Sequence, residues 1–283
     1  MQTIGIIGQG FVGSAVYEVM KNYFDVLAYD KDPNKFSNTN CIQELVQHVK
    51  VTFLCVPTPM KSSGECDLRI LKSALEEIRG CAGFENKSLI VVIKSTIPPG
   101  TTETLSNEYP SLNLVFNPEF LTEANAVEDY KNQNRIIIGG KQPSTTIVKH
   151  IFLKSFPLVP VIETSSTIAE TIKYVTNIFL ATKVSFANEM YRLCEGLGID
   201  YDTVIDYAKY DDRLGNTHWA VPGPDGDFGY GGHCFPKDIA ALQHLMLQLN
   251  IDSTIIDSVI QKNKLARTNL DWEQQIGRAV SAD

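Results

Sequence analysis

Roughly the first 160 residues alternate short apolar segments with amphipathic ones, and this alternation limits the possible folds more than any other feature. Nearly continuous apolar strands separated by helical patterns are typical of a parallel sheet covered by helices on both faces. The sequence therefore predicts an α/β fold that starts with a Rossmann-like, doubly wound parallel sheet. Its predicted strands are TIGIIG, DVLAYD, VTFLCV, SLIVVIKS, LNLVFN, RIIIGG and PLVPVIE.

The pattern changes after Thr164, where a long helical segment begins. Residues 165–194 contain no proline or glycine, and their apolar residues recur every three or four positions. This spacing predicts one helix of roughly eight turns. Thr167 and Glu170 have the spacing of a capping box at its start, and a Gly-x-Gly pair follows it at Gly196 and Gly198.

Beyond the long helix, the sequence predicts a mostly helical region. A short helix is expected near Tyr201–Lys209, a loop rich in glycine and proline over 211–232, and further helices from Pro236 to the end. We therefore predict two domains, a dinucleotide-binding domain at 1–164 and a helical domain at 165–283.

Composition restricts the partners and the compartment. A net charge of −8 and a pI near 5.2 argue against nucleic acid, because phosphate binding requires a basic field. No window is apolar enough to cross a membrane, and the opening MQTIGIIGQG lacks the basic start of a signal peptide. The cysteines show neither a CxxC pair nor the spacing of metal ligands, so we expect no metal, reduced and mostly buried thiols, and a cytoplasmic location. They are Cys41, Cys55, Cys66, Cys81, Cys194 and Cys234.

A glycine motif follows the first predicted strand. The segment GQGFVG matches G-x-G-x-x-G at Gly8, Gly10 and Gly13, with a strand before it and a helix after it. Gly8 would make the turn, Gly10 would leave room for a pyrophosphate at the helix N-terminus, and Gly13 would let the helix approach the sheet. The motif therefore predicts a dinucleotide site.

An acidic residue, Asp30, ends the second predicted strand. Its carboxylate can accept hydrogen bonds from the adenosine ribose and would repel a 2′-phosphate, which favours NAD over NADP. Lys31 and Lys35 weaken this preference slightly.

One cysteine follows a run of glycines in GDFGYGGHCFPKD. Because Pro236 suits the first turn of a helix, the thiol of Cys234 would lie at the positive end of that helix, with His233 and Lys237 nearby. These groups favour the thiolate. A thiolate adds to an aldehyde to give a thiohemiacetal, which can lose hydride to NAD and become a thioester. The combination indicates oxidation to the level of a carboxylic acid.

Several motifs in order resemble the nucleotide-sugar dehydrogenase family, which UDP-glucose 6-dehydrogenase typifies. This resemblance implies that a C6 alcohol, with UDP-glucose the first candidate substrate, is oxidised to a carboxylate while two NAD are reduced. The motifs are GQGFVG, CVPTP (55–59), KSTIPPGT (94–101), NPEFLTE (117–123), AETIKYVTNIFLATKVSFANE (169–189) and GYGGHCFPKD (229–238).

The resemblance also implies roles for individual residues. Cys234 matches the nucleophile, Lys173 and Asn177 the pair that stabilises the oxyanion, and Asp238 the carboxylate beside the cysteine. Thr96, Glu119 and Glu123 match polar residues that act on water or orient the others, and either glutamate could be the base that activates water. The substrate would contact Phe120, Leu121, Lys173, Asn177, Tyr230, Gly231 and Gly232. The cofactor would contact Gly8, Gly10, Phe11, Val12, Gly13, Asp30, Lys35, Pro57, Thr58, Thr96 and Glu123.

Elementary chemistry is consistent with the predicted oxyanion pair. Lys173 and Asn177 are four residues apart on the long helix, so they share one face. An ammonium and an amide that project together can stabilise a developing alkoxide. Glu119 and Glu123 follow the strand LNLVFN, at the sheet edge where α/β proteins bind ligands.

The chain departs from the family pattern in the loop NTHWAVPGPDGD and at its C-terminal end, since family members usually carry a third, C-terminal α/β domain that closes over the nucleotide. Two other functions therefore stay open, a single-step dehydrogenase of the hydroxyacid type and a non-catalytic nucleotide-binding protein. The long helix also carries more apolar surface than one domain edge covers, which predicts a homodimer. The residues expected in that interface are Ile178, Phe179, Leu180, Val184, Phe186 and Met190.

Overall fold

The computed structural model describes residues 2–82 and 88–282, with the side chain of Ala82 left out. The chain forms two compact units. The first contains Met1–Thr58 and Leu68–Lys173, and the second contains Pro59–Asp67 and Tyr174–Asp283. The domain boundary predicted at residue 164 stays a prediction.

The first unit is built on a sheet that has seven strands among the described residues, in the order β2-β1-β3-β4-β5-β6-β7. All seven predicted strands are present. The sheet is parallel except for β5 and β6, which pair antiparallel, so the expectation of a wholly parallel sheet was wrong at this pair. The connection between these two strands holds one short helix, Ala126–Lys131. The strands are β1 (Thr3–Ile7), β2 (Asp25–Tyr29), β3 (Val51–Leu54), β4 (Ile90–Ile93), β5 (Asn113–Phe116), β6 (Ile136–Gly140) and β7 (Val161–Thr164).

Helices cover both faces of this sheet, as the apolar strands predict. Successive strand residues alternate between two cores: Phe53 and Val92 belong to one, and Leu54 and Val91 to the other. The doubly wound α/β fold is therefore confirmed. The helices of the first unit are α1 (Phe11–Met20), α2 (Ile42–His48), α3 (Arg69–Ala82), α4 (Thr101–Glu108), α5 (Ala126–Lys131) and α6 (Ser144–Ser155).

The long helix α7 spans Ser166–Leu197, slightly longer than predicted, and Gly198 follows it with a φ of +66°. The predicted capping box was wrong. Ser165 caps the helix through its hydroxyl, which accepts from the N–H of Ile168 at 3.3 Å. The Glu170 carboxylate instead accepts from the N–H groups of Gly100 and Thr102 at 2.6 and 2.8 Å, because it is fully buried against the start of α4.

The second unit is mostly helical, as predicted. After α7 come α8 (Tyr201–Ala208), a loop with one short 3-10 turn, α9 (Phe235–Gln248) and α10 (Thr254–Ala266). The expectation of helix up to the C-terminus was wrong. After residue 266 the chain makes a 3-10 turn at Asp271–Gln274 and then pairs Val280 with Met60 and Ile276 in isolated bridges.

The cysteines are thiols, but most are not buried as expected. Only Cys66 and Cys194 are buried, Cys41 is exposed, and the other three are partly exposed. Within residues 2–82 and 88–282, no helix combines the length and the apolarity needed to cross a membrane.

The apolar face of α7 differs from the predicted one. Ile178 is buried in a core of the second unit, and Val184 and Met190 pack against cores there. These three side chains therefore stabilise the unit itself, whereas Phe179 and Phe186 are exposed.

Candidate functional site

The glycine motif lies between β1 and α1, as its sequence context predicts. Gly8 has a φ of +93°, and a Cβ there would lie 2.3 Å from the carbonyl oxygen of Cys55. A Cβ on Gly13 would lie 1.8 Å from the carbonyl oxygen of Gly8. Side chains are therefore excluded at both positions, and α1 approaches the turn closely.

The same loop fits a dinucleotide pyrophosphate. Gly10 is exposed, no atom lies within 4 Å of where its Cβ would be, and α1 begins there without a side-chain cap, followed by Phe11 and Val12. An anion can therefore approach the start of the helix. The Gln9 side chain, which the motif does not specify, is buried with its Nε2 atom lacking a hydrogen-bond partner. This amide is a further donor for a ligand.

Asp30 lies at the end of β2, beside the glycine motif. Its carboxylate accepts from the N–H of Gln9 at 2.5 Å and from the N–H of Asp32 at 2.8 Å. The carboxylate is therefore fixed next to the glycine turn, where an adenosine ribose would bind. Lys35 is exposed in the turn that follows.

The segments after β3 and β4 are joined at the same edge of the sheet. The Thr58 hydroxyl donates to the carbonyl oxygen of Thr96 at 2.7 Å, and the Ser95 hydroxyl donates to that of Val56 at 2.6 Å. Pro57 is exposed, whereas Thr58 and Thr96 are buried. These contacts fix the backbone of both segments at the edge where α/β proteins bind ligands.

A buried lysine that the sequence analysis assigned no role holds the segment after β5. Lys94 directly follows β4, and its ammonium donates to the side-chain oxygen of Asn117 at 2.6 Å. Asn117 in turn donates to the carbonyl oxygen of Ile137 at 2.7 Å. Burial lowers the pKa of Lys94 to about 8, partly offset by Cys55 and Glu119. The rule that functional side chains follow parallel strands could have identified this pair.

Glu119 and Lys173 form a buried ion pair in the first unit. The Lys173 ammonium donates to Oε1 of Glu119 at 3.0 Å and to its carbonyl oxygen at 2.6 Å, and both side chains are nearly inaccessible. Burial by itself would raise the pKa of Glu119, but Lys173 and the N–H of Leu121 hold it below its usual range. The lysine also lies 5.5 Å from the ring centroid of Phe120. Glu123, by contrast, is exposed in a short 3-10 turn.

A second buried network surrounds the start of α9 in the second unit. The Asn177 amide donates to Oδ2 of Asp238 at 2.6 Å, and the Lys237 ammonium donates to Oδ1 at 2.5 Å. All three residues are buried. Burial by itself would lower the pKa of Lys237, but Asp238, Cys234 and Cys66 raise it well above the usual lysine range. The network therefore keeps one ammonium charge inside the first turn of α9.

Cys234 is the N-cap residue of α9, and Pro236 lies in the first turn, as predicted. The cysteine is partly exposed. A thiol at this position lies at the positive end of the helix dipole and near the charge of Lys237. Both favour the thiolate.

The glycine loop before Cys234 is held by α10 and the residues after it. Asn263 accepts from the N–H of Tyr230 at 2.7 Å and donates to its carbonyl oxygen at 2.9 Å. Tyr230 is buried, and the Asp271 carboxylate accepts from the N–H of Gly232 at 2.9 Å. A Cβ on Gly231 would lie 2.0 Å from Nη2 of Arg267, so a side chain there would displace the guanidinium. The sequence analysis did not identify Asn263, Arg267 or Asp271.

The fold and the glycine motif define a dinucleotide-binding protein of the doubly wound class. Residues 33–155 match the NAD binding domain of the UDP-glucose/GDP-mannose dehydrogenase family, and residues 167–265 match the central domain of the same family. The chain belongs to this family. The predicted cofactor, NAD, and the predicted resemblance are both confirmed.

Individual relatives agree with this assignment. UDP-glucose 6-dehydrogenase from Rickettsia bellii is 38% identical over 258 residues, which cover 88% of this chain and 56% of the relative. UDP-glucose 6-dehydrogenase TuaD from Bacillus subtilis is 34% identical over 239 residues, covering 82% and 50%. A solved UDP-glucose dehydrogenase from the archaeon Pyrobaculum islandicum is similar with a TM-score of 0.82 at 27% identity, covering 94% and 68%. The chain thus spans about half the length of these curated relatives.

Proposed function

We propose that this chain oxidises the C6 alcohol of a nucleotide sugar, UDP-glucose in the first instance, to a carboxylate with NAD as the oxidant. Family membership and the names of the relatives support the reaction class. One observation supports acid formation in particular: Cys234 caps α9 directly before the buried Lys237–Asp238–Asn177 network. A simple alcohol dehydrogenase has no chemical use for a thiol at that position.

The cofactor would be held by the glycine motif, Asp30 and Gln9, and when bound it accepts hydride from a substrate carbon. The residues of the chain provide the remaining chemistry. The C6 alcohol would first lose its hydroxyl proton to a base and a hydride to one NAD, which gives the aldehyde. The Cys234 thiolate adds its electron pair to the aldehyde carbon, and the carbonyl oxygen becomes an alkoxide that Lys173 and Asn177 stabilise. Loss of hydride from this thiohemiacetal leaves a thioester on the sulfur. Water then attacks the thioester, giving the carboxylate and returning the thiol.

Glu119 and Glu123 have different roles in this proposal. The buried pair with Lys173 lowers the pKa of Glu119, so this carboxylate is a weak base and serves to hold the Lys173 side chain in place. Glu123 is exposed, so water can reach its carboxylate. We therefore assign the activation of water to Glu123. Thr96 and Asp238 orient the groups that they contact.

The test is the ratio of NADH to acid formed from UDP-glucose. We expect two NADH per carboxylate, and we expect Cys234→Ala to lower acid formation on the order of a thousandfold or more, because the covalent intermediates cannot form. Cys41→Ala removes an exposed thiol of the first unit and should leave the rate unchanged. A ratio of one, or a Cys234→Ala variant as active as the wild type, would contradict the proposal.

The same assay distinguishes the two other functions. Alkylation of Cys234 that leaves NADH formation intact indicates the single-step dehydrogenase. Binding of NAD in calorimetry, with no NADH formed from any member of a panel of UDP and GDP sugars, indicates the non-catalytic protein.

We also propose that the chain forms a homodimer through α7. In the part of this helix that belongs to the second unit, five exposed apolar side chains lie within an arc of roughly 40°, at about 100° per residue. An apolar stripe of this kind on a helix indicates a protein interface. The five residues, which we call the α7 stripe, are Val175, Phe179, Phe186, Leu193 and Leu197.

A further inference from the structure

Residues 267–281, the C-terminal strap, lie beyond the central-domain match, which ends at residue 265. The strap is nevertheless packed into the second unit. Trp272 is 8% exposed and Ala279 is fully buried. The strap is therefore an ordered part of this unit, and its contacts show which segments it holds.

The strap fixes the loop that leads to Cys234. The Asp271 carboxylate accepts from the N–H of Gly232 through Oδ2 and from Nη2 of Arg267 through Oδ1, both at 2.9 Å. The Arg267 side chain is only 2% exposed and also pairs with Asp225. Burial by itself would lower the pKa of Arg267, but these two carboxylates raise it above its usual range. A buried, doubly paired guanidinium is a rigid support for Asp271.

The strap also holds segment 59–67. The N–H of Met60 donates to the carbonyl oxygen of Ala279, and the N–H of Ser281 donates to that of Met60, both at 2.8 Å. The Ser281 hydroxyl donates to Asp67 at 2.9 Å.

Segment 59–67 in turn lies against the first turns of α9. A Cβ on Gly64 would be 3.4 Å from the Cβ of Ala240, which is ordinary van der Waals contact. Cys66, on the same segment, is one of the groups that raise the pKa of Lys237. The strap therefore supports both the loop before Cys234 and the segment beside Lys237.

We propose that Asp271, held by Arg267, is a positioning residue for Cys234: by fixing the backbone of Gly232, it keeps the thiol at the N-terminus of α9. The inference rests on the proposed function only in treating Cys234 as the nucleophile. The reactivity of the thiol can be measured without substrate or NAD, so the two proposals fail independently.

The test is the pH dependence of Cys234 alkylation by iodoacetamide, with each cysteine resolved by mass spectrometry of its peptide and Cys41 as the internal reference. In Asp271→Ala, the N–H of Gly232 loses its acceptor and the thiol spends less time at the helix N-terminus. We expect the midpoint of the profile to rise by about 0.5 pH unit, which lowers the rate at pH 7 about threefold. The groups near this turn, Lys237, Asp238, Cys66 and His233, are unchanged.

Asp271→Asn separates position from charge, since it keeps an oxygen that can accept from Gly232 but lacks the negative charge. Its NH2 group would face Nη2 of Arg267, which also donates, so we expect a shift smaller than that of Asp271→Ala. Asp252→Ala is the matched control. It also removes a carboxylate that accepts from a backbone N–H, but that N–H belongs to Thr254 at the start of α10, so the Cys234 profile should not change. If Asp271→Ala does not fold, Gly231→Ala tests the same link, since its Cβ displaces Arg267.

Two results would overturn the proposal. One is a wild-type profile in folded Asp271→Ala or, where that variant does not fold, in Gly231→Ala. The other is an equal shift in Asp271→Asn and Asp271→Ala, which would mean that Asp271 acts through its charge. Absence of NADH formation by the wild type would contradict the proposed function. It would not change the alkylation profiles, which test the role of Asp271 separately.

Discussion

Lys94 shows how a single buried charge makes stability depend on pH. Burial lowers its pKa to about 8, whereas an unfolded lysine titrates near 10.4. Between these values the unfolded chain binds more protons than the folded one, so the contribution of Lys94 to stability rises with pH. At pH 7, below both values, the cost of burying the ammonium is fully present, on the order of 3 kcal/mol. Above pH 10.4 it is gone.

The variant Lys94→Met removes this dependence. The lost hydrogen bonds to Asn117 cost the variant a similar free energy at every pH, but the charge is absent. We therefore expect the unfolding free energy of the variant, relative to the wild type, to fall by on the order of 3 kcal/mol between pH 7 and pH 10.5. Guanidinium unfolding at both pH values measures this difference.

Lys72→Met is the matched control for Lys94. Lys72 is an exposed lysine that pairs with Glu108, so its replacement should change stability little and equally at both pH values. A Lys94→Met difference that does not change with pH would show that the ammonium is not destabilised by burial.

At the scale of residues, the sequence identified groups whose residue type and neighbours indicate a reaction. It missed groups whose importance comes from their burial in the folded chain. The thiol of Cys234 was predictable at the start of a helix because glycine and proline specify the local backbone. Lys94 and Arg267 look like solvated charges in the sequence. Their burial depends on which distant segments, Asn117 in one case and Asp271 in the other, fold against them.

At the scale of elements, the junction of β1 and α1 is limited by one glycine. A Cβ on Gly13 would lie 1.8 Å from a backbone oxygen, so Gly13→Ala must displace the helix from the turn. We expect the unfolding free energy of the variant to fall by several kcal/mol, because overpacking against rigid backbone destabilises a protein. We also expect NAD binding to become too weak to measure. Urea unfolding and calorimetry with NAD measure the two effects.

Gly80→Ala provides the comparison within a helix. Gly80 lies in α3, with no atom within 4 Å of its notional Cβ, so the substitution should stabilise the chain by roughly 0.5–1 kcal/mol. Equal effects of Gly13→Ala and Gly80→Ala would mean that the close approach at Gly13 does not limit this junction.

The elements themselves were largely predictable because each of them is local. Nearly continuous apolar runs located all seven strands, and apolar residues every three or four positions located the long helix. The errors involve partners that are distant in sequence. Glu170 has the spacing of a capping box but bonds the start of α4, and the apolar run of β6 predicts a strand without giving the direction in which it pairs with β5. Helix was also expected in the strap, where Val280 instead pairs with Met60.

At the scale of the whole molecule, the sequence predicted that α7 has exposed apolar residues, but it predicted only some of those residues correctly. The sequence suggested six interface residues, but the core of the second unit takes up Ile178 and contacts Val184. Which side chains of a helix stay exposed depends on the segments that pack against it. The periodicity of the sequence does not identify those segments. The remaining α7 stripe is the surface that the dimer proposal requires.

The variant Phe179→Glu tests the dimer. The phenylalanine is 66% exposed, so a carboxylate there should leave the fold intact, but in a dimer it would be buried without a partner. We expect the wild type to have the mass of a dimer in light scattering at micromolar concentration, and Phe179→Glu to have that of a monomer. Leu158→Glu is the control: Leu158 is an exposed apolar residue of the first unit, 94% accessible, and this variant should remain a dimer. A monomeric wild type would refute the dimer, and a dimeric Phe179→Glu would place the interface away from the α7 stripe.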